Sequence, residues 1–100
     1  MGKILVKTAD GWQQLLTWCE KVNNTEQLGS LLELLLTHDE KVDISKRCLI
    51  IRELLANEQN QREIAKNLNV SIAKITRGSN ELKRMDAKLL EFIKNCCQAD

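Results

Sequence analysis

The chain has 100 residues, of which 43% are hydrophobic and 29% charged, with a formal net charge of +1 at pH 7. This length and composition indicate one globular domain over residues 1–100 and exclude a disordered chain. The longest apolar run, LGSLLELLLT, is broken by Ser30 and Glu33 and falls short of the roughly 20 residues that span a bilayer, so we expect no membrane anchor. The opening MGKILVKTAD lacks the pattern of a signal peptide, which predicts a cytoplasmic protein.

The cysteines and the single histidine, His38, show no pattern typical of a metal or catalytic site. Cys19, Cys48, Cys96 and Cys97 lack CxxC spacing, so a zinc site would require distant residues to converge. No serine, cysteine or carboxylate forms a convincing catalytic arrangement with His38. We expect reduced thiols, no metal and no enzymatic activity.

Leu, Glu, Lys, Gln and Ala dominate the sequence, which predicts helices throughout. The first helix has Asp10 as its expected N-cap and ends near Asn23 and Asn24. The second begins at Thr25 or Ser30 and contains LLELLL, which is apolar on nearly all sides. Such a helix is buried by its own chain or by a second one.

The third helix follows a capping box formed by Thr37 and Glu40, and Asn57 ends it after about Ala56. Its apolar residues at helical spacing form one predicted stripe, made of Ile44, Cys48, Ile51 and Leu55 and widened by Leu54.

Residues 61–83 have the pattern of a helix-turn-helix. In QREIAKNLNVSIAKITR, Ala65 is the small residue at the helix crossing, Asn69 readily adopts a left-handed turn, and Ser71 caps the second helix. The apolar residues expected to pack between the two helices are Ile64, Leu68, Val70 and Ile75.

Positive charge is concentrated in this segment, because residues 60–85 contain six basic residues and two acidic ones, a net charge of +4. A solvated charged face or a plain helical hairpin also explains such a window. The outward face of the second helix nevertheless has the basic and amide groups that suit phosphate and major-groove contacts. These residues are Ala73, Lys74, Arg77, Asn80 and Lys83.

The segment ITRGSN, preceded by QREIAKNL and further upstream by LLELLLTHDE and KRCLIIRELL, resembles the tryptophan repressor family. The resemblance extends from about Trp12 to the C-terminus. It implies an all-α fold with six helices per chain, an interwoven homodimer, and a regulator of tryptophan biosynthesis without catalysis.

The resemblance also implies a corepressor, L-tryptophan, and no other cofactor. The ligand would lie between Arg47 and Arg77, with its carboxylate held by Arg77 and Thr37. Backbone carbonyls around Leu34 and Leu36 would accept hydrogen bonds from its ammonium group, because a helix C-terminus suits a cation. Gly78 would allow the indole to approach the backbone closely.

For double-stranded operator DNA, the family pattern places Arg62 at a guanine edge. Ile72, Ala73 and Thr76 would lie near bases, partly through water. The residues expected at phosphates are Gln61, Lys74, Thr76, Asn80 and Lys83.

Two residues depart from the best-known members of the family. Glu81 replaces a serine near the ligand ammonium, so its carboxylate either binds that ammonium or faces the phosphates and repels them; its position one turn after Arg77 favours the ligand. Ala65 replaces a lysine that approaches the DNA in those members, which leaves the operator preference near that contact open.

The sequence therefore predicts a repressor that binds operator DNA when L-tryptophan occupies its corepressor site. Two alternatives remain open: a helix-turn-helix regulator that responds to another ligand or to none, and a helical protein-interaction module. DNA binding weakens steeply with salt because counterions are released, whereas a hydrophobic protein interface does not.

Overall fold

The structure is a computed structural model that describes residues 7–98 as six α-helices without a strand. The predicted all-α, six-helix architecture is thereby confirmed. None of these helices combines the length and apolar character needed to cross a membrane. The opening residues used for the signal-peptide prediction lie largely outside the described range. The helices are α1 (Thr8–Lys21), α2 (Thr25–Leu35), α3 (His38–Ala56), α4 (Gln61–Leu68), α5 (Ile72–Arg84) and α6 (Ala87–Gln98).

The chain divides into two compact units, residues 1–37 with α1 and α2 and residues 38–100 with α3 to α6. In the first unit, α1 begins two residues before Asp10, so the prediction that Asp10 is its N-cap is wrong. The carboxylate instead lies in the first turn, where a negative charge also favours the helix dipole. Helix α2 begins at Thr25 rather than Ser30, because the side chain of Asn24 accepts a hydrogen bond from the Gln27 backbone N–H at 2.8 Å.

Three isoleucines form the core of the second unit, one from each of α3, α4 and α5. Ile50, Ile64 and Ile75 are 3%, 1% and 0% exposed. The partly buried side chains packed against them are those of Leu54, Ala65, Leu68 and Val70. The predicted apolar packing of the helix-turn-helix is therefore confirmed.

The buried residue that α3 contributes to this core is Ile50, which the predicted stripe omitted, while Leu54, which widens that stripe, packs against the core. Ile44 and Cys48, which begin the predicted stripe, are exposed in the single chain. Helix α3 has apolar residues on more than one side, and the sequence pattern does not reveal which side faces α4 and α5.

Local side-chain chemistry sets the ends of α4 and α5. Asn60 and Glu63 form a reciprocal capping box at the start of α4, which the sequence analysis missed. Asn69 ends α4 in the left-handed region with φ 54° and ψ 49°, as predicted. Ser71 caps α5 by accepting from the Lys74 backbone N–H at 3.3 Å, which confirms its predicted role.

Gly78 lies where α5 comes closest to α3. A Cβ atom at this position would lie 3.0 Å from Cγ2 of Ile50 and 3.5 Å from Cδ1 of Leu54. The first distance is shorter than ordinary van der Waals contact, so a methyl group would require Ile50 or the helix to shift. The weak helix former in the middle of α5 thus permits close helix packing.

We expect Gly78→Ala to lower the free energy of unfolding by roughly 1 kcal/mol, because overpacking against Ile50 outweighs the better helix propensity of alanine. Gly29→Ala is the matched control: it also lies inside a helix, and a Cβ there has no atom of its own chain within 4 Å. This control should gain roughly 0.5–1 kcal/mol. Urea unfolding of both variants provides the measurement, and an equal gain in both would contradict the packing role of Gly78.

Candidate functional site

A cavity of about 460 Å³ lies between α3 and α5. Ile50 and Ile51 provide apolar surface, and the remaining lining residues are polar, charged or glycine. Helix α3 contributes Asp43, Lys46, Arg47, Ile50 and Ile51, and α5 contributes Lys74, Arg77, Gly78 and Glu81.

The lining residues follow the same spacing on both helices. On α3 they are residues 43, 46, 47 and 50 with residue 51 beside them, and on α5 they are residues 74, 77, 78 and 81. Positions i, i+3, i+4 and i+7 lie on one face of a helix, so each helix presents one continuous stripe to the cavity.

The charges of the lining suit an anionic group. Four basic and two acidic side chains surround the cavity. Within residues 7–98, neither Arg47 nor Arg77 forms an ion pair or side-chain hydrogen bond with another residue. A guanidinium group that has no carboxylate partner in the chain is available to bind a ligand carboxylate through two parallel N–H groups.

Four of the seven predicted ligand-binding residues meet at this cavity: Arg47, Arg77, Gly78 and Glu81. The other three, Leu34, Leu36 and Thr37, belong to the first compact unit, so their part in the same site stays a prediction. Leu34 lies in the last turn of α2 and Leu36 is its C-cap, where helix carbonyls lack an intrahelical donor.

The sequence analysis missed Asp43, Lys46, Ile50 and Ile51 as lining residues. It also assigned Lys74 to phosphate contacts alone, whereas this side chain lies beside Arg77 in the cavity lining. The i, i+3, i+4 spacing around Arg47 was the available signal for Asp43, Ile50 and Ile51. Among the described residues, no cluster of histidine, cysteine and carboxylate groups could hold a metal ion.

Most residues predicted to contact DNA lie exposed along the helix-turn-helix. Gln61 is the half-buried exception, and its Oε1 lies 3.1 Å from the Thr76 hydroxyl oxygen, which donates to it. This hydrogen bond joins the start of α4 to the middle of α5 and holds two of the predicted contacts together. The exposed members are Arg62, Ile72, Ala73, Lys74, Thr76, Asn80 and Lys83.

Glu81 makes an ion pair on its own helix. Its Oε1 accepts a hydrogen bond from Nη1 of Arg84 at 3.4 Å, and both side chains are substantially exposed. Glu81 thus lies in the cavity lining, but its carboxylate is paired with a residue that does not line the cavity.

Comparison with known proteins identifies a family and several relatives to which this chain is similar. The profile of the Trp repressor protein family matches residues 10–96. A Trp operon repressor homolog of Chlamydia caviae is 45% identical over 86 residues, which cover 86% of this chain and 85% of the relative. A homolog of Chlamydia trachomatis serovar D is 48% identical over 83 residues, covering 83% and 88%. A homolog of Vibrio cholerae is 47% identical over 72 residues, covering 72% and 70%.

The family match covers the helix-turn-helix and the helices that form the cavity. The identity and coverage of the relatives confirm the resemblance deduced from ITRGSN and its neighbouring segments. The chain belongs to the Trp repressor protein family, whose members are regulators of transcription rather than enzymes.

Proposed function

We propose that the cavity between α3 and α5 binds L-tryptophan and that the loaded chain, as a homodimer, binds operator DNA and represses transcription. The observation that carries this proposal is the position of the cavity behind α5. Its lining contains two guanidinium groups, those of Arg47 and Arg77, that have no ion-pair partner within residues 7–98. Because α5 is the second helix of the helix-turn-helix, a ligand in this cavity touches the helix that would read DNA. The proposal places the protein in the cytoplasm with the bacterial DNA.

The cavity has the chemical features of an indole amino acid site. Its volume of about 460 Å³ lies within the range of small-molecule sites. Ile50 and Ile51 offer apolar surface to the indole ring, while Arg47 and Arg77 offer donors to the carboxylate. In this proposal, the carbonyls of Leu34 and Leu36 and the hydroxyl of Thr37 complete the site.

The two stripes of α5 explain how a ligand could control DNA binding. The cavity stripe contains Lys74, Arg77, Gly78 and Glu81. The proposed DNA stripe, residues 73, 76, 80 and 83, is displaced from it by about 100° around the helix axis. Lys74 belongs to both surfaces, because it is also a proposed phosphate contact. A ligand wedged behind α5 therefore fixes the direction in which the DNA stripe points without occupying the DNA surface.

The homodimer is supported by the apolar surface that the single chain leaves uncovered. Only three side chains are buried in the described part, whereas eleven large hydrophobic residues are exposed. Leu34, Trp12 and Phe92 are 79%, 64% and 62% exposed, and they belong to α2, α1 and α6. Exposed apolar residues on three helices indicate burial by another chain, and a second copy is the commonest partner in soluble oligomers.

A titration of labelled palindromic operator DNA with the chain, with and without L-tryptophan, tests the proposal. We expect tighter binding with L-tryptophan and a steep loss of affinity as salt rises. Equal affinity with and without L-tryptophan would favour a regulator that responds to another ligand or to none. Absence of any salt-dependent DNA binding would favour a protein-interaction module.

Arg77→Ala should abolish L-tryptophan binding and operator binding together, because Arg77 lines the cavity on the helix that faces the DNA. Lys83→Ala should weaken operator binding alone and lower the salt slope by about one unit, since it removes one phosphate contact. Calorimetry measures the ligand and fluorescence anisotropy measures the DNA. Loss of the tryptophan site in Lys83→Ala would refute this division of roles.

We expect the chain to sediment as a folded dimer at micromolar concentration, with a thermal midpoint that rises with protein concentration. Dimerisation covers the apolar surfaces of α1, α2 and α6, which the single chain cannot bury. A folded monomer at this concentration in analytical ultracentrifugation would overturn the homodimer.

A further inference from the structure

The ion pair between Glu81 and Arg84 connects the cavity to a residue outside it. Glu81 lies in the lining, whereas Arg84, three residues later at the end of α5, does not. Their side chains are 48% and 75% exposed, and Glu81 Oε1 lies 3.4 Å from Arg84 Nη1. Water reaches both groups, so the pair is weak and can be exchanged for another partner.

The cavity contains two carboxylates with different surroundings. Glu81 is paired with Arg84, while the side chain of Asp43 on α3 forms no ion pair or hydrogen bond within residues 7–98. Glu81 lies one helical turn after Arg77, on the same face of α5. A zwitterion whose carboxylate binds Arg77 can thus bring its ammonium group near Glu81, which suits a charge-assisted hydrogen bond.

We infer that Arg84 competes with the ammonium group of a bound amino acid for the carboxylate of Glu81. Through this competition, Arg84 sets how strongly the cavity prefers an amino acid over the same carboxylic acid without the amino group. The inference rests on the proposed function and deepens it. When the ligand has an ammonium group, Glu81 exchanges Arg84 for that group. When the ligand is a simple anion, Glu81 stays paired with Arg84, and its negative charge is kept from repelling the ligand carboxylate. Arg84 is therefore a positioning residue.

Arg84→Gln tests the inference because it should move two ligands in opposite directions. L-tryptophan should bind tighter, since its ammonium no longer competes with a guanidinium group for Glu81. Indole-3-propionate should bind more weakly, since the unneutralised Glu81 repels its carboxylate. For an exposed ion pair we expect each change to be roughly two- to five-fold, and to shrink as salt rises. Isothermal titration calorimetry of the full chain without DNA measures both.

Arg52→Gln is the matched control. Arg52 Nη2 lies 3.6 Å from Glu53 Oε1, so the variant also replaces an exposed arginine by glutamine and breaks a pair with a glutamate on its own helix. Neither residue lines the cavity. The variant should leave the ratio of the two dissociation constants unchanged, which separates the effect of Arg84 from a general loss of positive charge.

Glu81→Gln provides the reverse test. It should weaken L-tryptophan without weakening indole-3-propionate, and in this background Arg84→Gln should no longer alter the ratio. A shift of both ligands in the same direction by Arg84→Gln overturns the inference and leaves the proposed function intact. The inference is also overturned if Asp43→Asn, and not Glu81→Gln, removes the preference for L-tryptophan over indole-3-propionate. A parent chain that binds neither ligand overturns the proposed function and this inference with it.

Discussion

The close approach of α3 and α5 at Gly78 is the constraint on which the cavity and the outward surface of α5 both depend. Because Gly78 has no side chain, Ile50 comes against the backbone of α5 and enters the core with Ile64 and Ile75. The cavity remains between the same two helices, and the side chains of Arg47 and Arg77 line it. One contact therefore fixes α5 against the core and also defines the inner boundary of the cavity.

A helix that packs on a core, lines a cavity and presents an outward surface has little of its own surface left uncommitted. Ile75 is buried in the core, and the side chains at positions 74, 77, 78 and 81 line the cavity. The residues at positions 73, 76, 80 and 83 are exposed. This division explains why α5 has residues of modest helix propensity at its centre. Gly78 is required for packing, and Thr76 for the hydrogen bond to Gln61, so neither position is free to hold a stronger helix former.

The parts of the fold that depend on local chemistry were the parts that the sequence predicted well. The left-handed turn at Asn69 and the cap at Ser71 follow from residue type alone, because asparagine enters the left-handed region at low cost and a serine side chain accepts from the N–H three residues on. The capping rules did not distinguish Thr25 from Ser30 as the first residue of α2, because both residue types suit a helix start. They also misplaced the N-cap of α1 at Asp10.

Features that arise between helices were harder to predict. Arg47 and Arg77 were identified through family motifs, whereas Lys46, the neighbour of Arg47 in the sequence, lines the cavity because of how α3 packs beside α5. The side of α3 that faces the core was missed for the same reason. A helix with apolar residues all round does not show which of them its neighbours cover, so Ile50 could not be distinguished from Ile44.

The small core gives a bound ligand considerable influence over the second unit. Full burial of one isoleucine stabilises a fold by roughly 1.5–3 kcal/mol, and this unit has three such residues. A ligand present at one hundred times its dissociation constant stabilises the folded state by about 2.7 kcal/mol. An occupant that touches both α3 and α5 therefore contributes about as much as one of the core isoleucines. Such an occupant lies between α3 and α5, the two helices that Gly78 allows to pack closely. Filling the cavity and orienting α5 would therefore depend on the same interface.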